Sequence, residues 1–321
     1  MKSSLRSSFG LAVLASVSLG NSASAVVSID YVSVGNAGNA NDATGYGAVP
    51  YNYQIAKNET TVGQYAEFLN AKAKSDPYEL YHPSMASTTF IAGITRSGSS
   101  GGYTYASVAG TENKPITYVS WFDSARFCNW MHNGQGSGST ETGAYTLNGA
   151  MSGIYAVNPG AQTWIPSENE WYKAAYYDAT KGGTGGYWSY PTQSNGLGGN
   201  TIGVPNSANY NDGDYVGYPS MALTDGGAYG ANSDSFYGTN DQGGNVWEWN
   251  DAVVSGSSRG LRGGSWAGPV NLASSDRNGH LDAGPSFDYY DIGFRVASVP
   301  EPSCVVLTML ASGLLVTRRK R

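Results

Sequence analysis

The sequence predicts an α+β fold in which a few helices and short strands are set among long, ordered loops. Charged residues make up only 13% of the 321 residues, whereas the chain contains 24 tyrosines and 8 tryptophans. Disordered chains combine high charge with few aromatic residues, so this composition indicates a folded domain. The 44 glycines, about twice the usual share of this residue, favour many turns.

Three helix starts carry the same capping signal. In each, a serine or threonine is followed three residues later by a side chain that can accept a hydrogen bond: Thr61 with Gln64, Ser120 with Asp123, and Ser167 with Glu170. Such a pair binds the amide groups that have no partner within the first helical turn. Trp121, Ala125 and Cys128 then recur at helical spacing and predict one buried face. We therefore expect three helices.

Short strands are predicted at residues 51–56 and 101–108, where apolar and polar side chains alternate. Stretches rich in glycine and asparagine predict loops at 182–186, 196–203 and 211–217. No repeat or linker interrupts the chain, so we expect one domain over residues 26–298.

The N-terminus has the three parts of a secretory signal peptide. Lys2 and Arg6 supply positive charge, residues 9–19 are apolar, and small residues lead to Ala25. This order is typical of a leader that is removed after export, so we expect residues 1–25 to be cleaved.

The C-terminal segment 299–321 also has three parts: the motif Pro300-Glu301-Pro302, an apolar run at 303–317, and a basic tail. As a helix the run would be about 22 Å long, which makes a short transmembrane segment against a ~30 Å hydrocarbon core. The order resembles the PEP-CTERM sorting signal of bacterial envelopes. That resemblance implies a passing contact with the membrane, removal of the tail by an exosortase-type peptidase, and a final location in the envelope, at the cell surface or in the extracellular matrix.

Charge and cysteine content exclude other classes of protein. The net charge of −6 disfavours nucleic acid as a partner. Of the two cysteines, Cys304 lies in the sorting segment, so the mature chain keeps only Cys128 and forms no internal disulfide.

Six segments resemble, in order, the motifs of the formylglycine-generating enzyme (sulfatase-modifying factor) superfamily. They are residues 53–70, 115–130, 164–175, 243–249, 261–266 and 293–295, among them the sequences GGNVWEW, LRGGSW and GFR. The resemblance implies a loop-rich single domain with a variant of the C-type lectin fold.

The segment from Asp241 to Glu248 is a candidate calcium loop. Calcium binds six to eight oxygens, and here two carboxylates bracket a Gly-Gly turn in a chain poor in acids. The resemblance implies a structural calcium held by the side chains of Asp241 and Glu248 and the carbonyls of Gly244 and Val246. Alternatively, both acids accept backbone hydrogen bonds and the adjacent tryptophans fill the core.

A second calcium is implied by the segment Ser207-Ala-Asn-Tyr210, which matches a family motif. By that resemblance the Asn209 side chain and the Tyr210 carbonyl are ligands. Asp214 is the expected acidic partner, with Asp212 as the alternative.

The family's oxidase chemistry uses copper(I) held by two cysteines, which lie two and seven residues after the aromatic residue of the Gly-Gly-Ser motif. Counted from Trp266, these positions hold Gly268 and Ala273, which offer no thiolate for this soft ion. We therefore expect no copper and no catalytic residue. The family's structural disulfide is not expected either. Cys128 matches one of its two cysteines, whereas the position of the other holds Val296.

Other catalytic centres stay open as alternatives. His82, His132 and His280 are the three histidines, and two of them with a carboxylate could bind iron. Cys128 is a poor candidate nucleophile, since its helical face predicts burial.

A candidate binding groove comprises Arg262, Ser265, Trp266, Arg277 and Arg295, all within or near family motifs. Further residues expected to line it are Asp276, Asp282, Asp288, Tyr289 and Tyr290. The alternative is that the arginines are structural and donate to loop carbonyls.

These observations favour a non-catalytic, surface-displayed module that binds an unknown glycan or peptide, because aromatic loops on a rigid scaffold provide contact area at low entropic cost. One alternative is a divergent metal-dependent oxidoreductase, which bound redox metal would reveal. Another is a structural component of the extracellular matrix, which self-association would reveal.

Overall fold

The computed structural model describes residues 26–88, 90–211, 223–268, 271–276 and 283–300. Eleven residues named above lie outside these ranges: Lys2, Arg6, Ala25, Asp212, Asp214, Arg277, His280, Asp282, Glu301, Pro302 and Cys304.

The three predicted helices are confirmed. They are α1 (Val62–Lys72), α3 (Trp121–His132) and α4 (Glu168–Tyr176), and each begins with a complete capping box. A single-turn helix, α2 (Ser84–Ser87), and two 3-10 turns, Lys181–Gly183 and Ala231–Ser233, were not predicted.

Four antiparallel strands form the larger sheet, in the order β1 (Tyr31–Val34), β2 (Tyr53–Ala56), β11 (Ala297–Ser298) and β5 (Thr163–Trp164). The strand predicted at 51–56 is β2. Because β11 pairs with both β2 and β5, the end of the domain is tied to its beginning.

A second sheet carries most of the predicted site. Its central strand β8 (Trp247–Ser255) pairs antiparallel with β9 (Ser258–Arg262) and parallel with β10 (Ile292–Phe294). None of these three strands was predicted, because glycine and polar residues interrupt their alternation.

Two hairpins complete the regular structure. Strand β3 (Ile94–Ser97) pairs with β4 (Thr104–Ser107), which lies within the strand predicted at 101–108. Strand β6 (Tyr177–Asp178) pairs with β7 (Gly186–Tyr187).

Aromatic side chains join the helices to the second sheet. Phe127 of α3 contacts Phe68 of α1 and Phe294 of β10 edge-to-face, with ring centroids 5.4 Å apart in both pairs. This is a preferred arrangement of aromatic pairs. Cys128 lies in the same core as a buried free thiol, and burial raises its pKa well above the usual value.

Across the ranges given above, no helix combines the length and the apolar character needed to cross a membrane. The short segment predicted at 303–317 lies outside those ranges.

Candidate functional site

The predicted calcium loop leads into strand β8, and its end is held by a buried ion pair. Glu248 accepts hydrogen bonds from Arg295 through Nε at 2.6 Å and Nη2 at 2.7 Å, and both side chains are fully buried. The Trp171 indole of α4 donates to the same carboxylate at 2.7 Å. Glu248 is therefore already neutralised by a bidentate partner.

Asp241 begins the loop, and its Oδ2 accepts the Gly227 amide at 2.6 Å. Gly244 is needed for a steric reason: its φ is +86°, and a Cβ there would lie 2.2 Å from the carbonyl oxygen of Asn209. The close approach of the two loops fixes the turn at Gly244, whereas Glu248 already lies in β8.

The two predicted calcium regions are directly connected. The Asn209 side chain donates to Oδ1 of Asn245 at 3.0 Å, and the Asn245 amide donates to the Asn209 carbonyl at 2.8 Å. The Tyr210 carbonyl accepts the Asn200 side chain at 3.4 Å. The expected acidic partner Asp214 lies outside the described residues, so the second ligand set is present only in part.

An unpredicted carboxylate adjoins the first site. Glu59 is 2% exposed, and neither of its carboxylate oxygens has a hydrogen-bond partner among the residues that the structure describes. Its charge repels those of Asp241 and Glu248. Carboxylate oxygens with unbalanced negative charge are the donors that a hard cation such as calcium takes. Since no three acids of the described chain form a metal-holding group, such an ion would depend on two carboxylates and on neutral oxygens. Glu248 itself fits less well, since Arg295 and Trp171 already bind its oxygens.

Two arginines of the candidate groove are buried, which favours the alternative that they are structural. Arg262 is 1% exposed: its Nε donates to Glu168, and its Nη1 donates to the carbonyls of Ser274 and Asp276 at 3.2 and 2.8 Å. Arg295 is likewise enclosed. Both guanidinium groups neutralise acids and bind loop carbonyls inside the protein, so neither lines an open groove.

The remaining groove residues differ in their surroundings. Ser265 is buried and donates to Asp291 at 2.7 Å. Trp266 is 6% exposed and packs with Ile91, Leu223 and Val246. Arg277 is outside the described ranges. Among the described residues of the set, Trp266 borders the aromatic surface described below.

The positions of the family's copper ligands carry no donor side chain. Gly268 follows a turn in which its amide donates to the Ser265 carbonyl at 3.3 Å, and the Ala273 carbonyl accepts the Asp276 amide at 2.9 Å.

The described histidines do not converge on one site. His132 accepts the Gln162 amide through Nδ1 at 3.0 Å, whereas His82 stacks on Tyr118 with ring centroids 5.0 Å apart. Within the described part of the chain, no three His, Cys, Asp or Glu side chains form a group that could hold a metal.

A row of aromatic rings covers the surface beside Trp266. Trp266 contacts Tyr290 at 5.7 Å between ring centroids, Tyr290 contacts Tyr289 at 4.3 Å, and Tyr289 stacks on Phe287 at 5.7 Å. Phe287 and Tyr289 are 37% and 40% exposed. We call Trp266, Tyr290, Tyr289 and Phe287 the aromatic row.

A polar recess of about 440 Å³ adjoins this row through Asp288. Arg96 is held in it between the rings of Tyr81 and Tyr103, at 4.6 and 4.4 Å from their centroids. Asp288 lies 4.0 Å from His82. The planar polar side chains of Arg96, His82 and Asp288 therefore lie next to the exposed rings of the aromatic row.

Sequence reasoning missed Glu59, Trp171 and the recess around Arg96. Glu59 stands two residues before the predicted cap Thr61, and nothing in its local sequence marks it as buried. The recess had no local signal, because its residues come from separate segments.

The fold and the order of its motifs define a sulfatase-modifying-factor class of domain. Residues 32–299 match the family described as "Sulfatase-modifying factor enzyme 1-like domain". The chain belongs to this family.

Solved structures with a similar fold share little sequence with this chain. Treponema denticola variable protein 1 is 18% identical over 86% of this chain and 98% of its own, with a TM-score of 0.49. CarF is 19% identical over 85% and 99%, also with a TM-score of 0.49. PvdO from Pseudomonas aeruginosa is 16% identical over 84% and 92%, with a TM-score of 0.44. No match was found among curated proteins.

Proposed function

We propose that this chain is an exported, non-catalytic binding module and that its ligand is a glycan. The observation that carries the proposal is the aromatic row beside the polar recess. Aromatic faces pack against the apolar faces of sugar rings, and a few planar polar groups fix the orientation of a ligand. Arg96, His82 and Asp288 are such groups, and a recess of about 440 Å³ is of the size that holds a small ligand.

The absence of donor side chains at Gly268 and Ala273 supports a binding role over the family's oxidase activity. Copper(I) requires soft ligands such as thiolates. Cys128 lies in the core packed among Trp121 and other aromatic residues, and a buried thiol of raised pKa is a poor ligand and nucleophile.

Structural calcium at the Asp241 loop belongs to this proposal, as does kinship with the C-type lectin fold. The loop packs below Trp266, since Trp266 donates its amide to the Asn245 carbonyl at 3.0 Å. A cation that stiffens the loop would therefore stabilise one end of the aromatic row.

The proposed location follows from the two terminal patterns. A cleaved leader and a PEP-CTERM sorting segment would place the domain at the cell surface or in the extracellular matrix, where glycans are abundant.

The test is a binding screen of the mature chain against immobilised neutral and acidic polysaccharides. We expect Tyr289→Ala to weaken the retained interaction at least tenfold, since central aromatic contacts contribute about 1.4 kcal/mol or more. The matched control is Tyr51→Ala: Tyr51 is also exposed, but it contacts Tyr53 and Glu170 instead of the aromatic row.

The same preparation should leave a Cys-x-Pro-x-Arg peptide unoxidised in a mass-spectrometric assay with added copper(I). Formylglycine formed above the level without protein would contradict the non-catalytic assignment. Retention of peptides in place of polysaccharides would overturn the glycan assignment alone.

A further inference from the structure

Arg295 organises a buried charge cluster where three parts of the chain meet. Its Nη1 donates to the carbonyls of Ala56 and Lys57, both at 3.0 Å, and its Nη2 donates to the Asn240 carbonyl at 2.8 Å. Its Nε and Nη2 also bind Glu248. The segment that follows β2 is thereby held against the start of the calcium loop.

The acids of this cluster outnumber its cations. Glu59, Asp241 and Glu248 supply three carboxylates. The Asn240 amide donates to the Lys57 carbonyl at 2.8 Å and the Asn240 side chain donates to Oδ1 of Asn58 at 2.6 Å, so the residues before Glu59 lie against the residue before Asp241. The charges of Asp241, Arg295 and Glu248 act on Glu59. Among the described groups of the cluster, Arg295 is the one cation, so ionisation of all three acids leaves two negative charges. The Arg295 charge is shared first with Glu248, its bidentate partner.

The free-energy cost of burying this excess negative charge is greatest at Glu59. Asp241 at least accepts the Gly227 amide, whereas both carboxylate oxygens of Glu59 lie inside the described structure without a hydrogen-bond donor. A buried carboxylate without a donor or a cation is strongly unfavourable. Either a proton or a bound cation must remove the excess.

We propose that Glu59 and Asp241 together hold a divalent calcium-type cation, with Glu59 as a direct ligand and Glu248 as the partner of Arg295. One such ion balances the two excess charges. Glu59 and Asp241 contribute carboxylate oxygens, which are donors that hard cations prefer. The inference rests on the proposed calcium loop. It differs from the ligand set implied by the family because Glu59, and not Glu248, is the carboxylate that calcium binding requires together with Asp241.

The test measures calcium content and affinity, together with thermal unfolding in calcium and in chelator, on the mature chain and three variants. We expect Glu59→Gln to lower calcium affinity at least tenfold and to remove the calcium-dependent rise in Tm. In chelator this variant should melt at or above the wild-type temperature, because a neutral amide replaces an unpaired buried charge.

Glu248→Gln separates this inference from the ligand set implied by the family. It leaves Arg295 with a weaker partner, so we expect a lower Tm in both conditions but a retained calcium response. Glu112→Gln is the matched control, since Glu112 is an exposed acid that lines the same cleft as Glu59, and it should behave as wild type.

Two outcomes would overturn the inference. If Glu59→Gln keeps the wild-type affinity while Glu248→Gln loses it, calcium binds the family-type site and Glu59 is not a ligand. If the wild-type chain binds no calcium, both the loop proposal and this inference fail, and Glu59 is buried in its protonated form. The glycan-binding test is read separately, because Tyr289→Ala changes the aromatic row and leaves the calcium loop intact.

Discussion

Asp123 shows how burial changes the behaviour of a single capping residue. Its carboxylate accepts the amide and the hydroxyl of Ser120, at 2.8 and 2.7 Å, and so closes the capping box of α3. The same position is 6% exposed. Burial raises the pKa of Asp123 to about 7, although the hydrogen bonds from Ser120 act to lower it. A residue that the sequence assigns to a helix end is therefore also a titrating group of the core.

The raised pKa of Asp123 predicts a pH dependence of stability. The folded protein binds this proton more tightly than the unfolded chain, in which the pKa is near 4. The resulting stabilisation is complete below that pH and is lost as the pH rises through about 7. Asp123→Asn cannot ionise, so between pH 4.5 and pH 8 its free energy of unfolding should fall less than that of wild type, by on the order of 2 kcal/mol.

Urea unfolding at the two pH values measures this difference. The control is Asp225→Asn, since the Asp225 side chain is 53% exposed. Equal pH dependence in wild type and Asp123→Asn would contradict the assignment.

Helix α4 links two buried ion pairs of the described structure, Glu168–Arg262 and Glu248–Arg295. Glu168 in its first turn binds Arg262, and Trp171 one turn later donates to the carboxylate that Arg295 neutralises. The sequence predicts this helix from its capping box. The structure shows that its side chains also bind Arg262 and Glu248.

The cap of α4 should therefore be measurable in the stability of the whole domain. The Ser167 hydroxyl accepts the Glu170 amide at 3.2 Å, and the Glu170 carboxylate accepts the Ser167 amide at 2.7 Å. We expect Ser167→Ala to cost about 1 kcal/mol and to lower Tm by about 2–4 °C in a domain of this size.

Thermal unfolding followed by circular dichroism provides the measurement, with the exposed loop residue Ser137 changed to alanine as the control. A Tm equal to that of wild type would show that the capping box of α4 does not contribute measurably to the stability of the domain.

The whole chain carries a domain between two segments with targeting patterns. The family match covers residues 32–299, and β11 closes the larger sheet next to that boundary. Val299 and Pro300 follow as exposed residues. The proposed sorting motif, which begins at Pro300, would thus start two residues after the last strand of the domain.

Intact-mass measurement of the protein from its native host tests the sorting proposal. We expect the mature chain to lack residues 1–25 and the residues after Pro302, because we propose that the leader and the tail are both cleaved. A chain that retains Arg321 would exclude cleavage at the motif.

The sequence by itself determined the three longer helices, α1, α3 and α4, and the family. Capping boxes and helical spacing are local signals, since each involves residues within one or two turns. This is why α1, α3 and α4 were predicted with their correct first residues. The motifs from residue 53 to residue 295 likewise identified the family without any structure, because each of them is short and their order is specific.

The tertiary structure alone decided which charges meet. Glu248 and Arg295 are 47 residues apart, and Glu168 and Arg262 are 94 residues apart. Both arginines were predicted to line a groove, but in these pairs they are buried in the interior. The same pairing left Glu59 as the unpaired acid, although nothing in its local sequence marks it as buried. Burial and pairing depend on all the groups that surround a side chain in space, and a linear pattern contains only those adjacent along the chain.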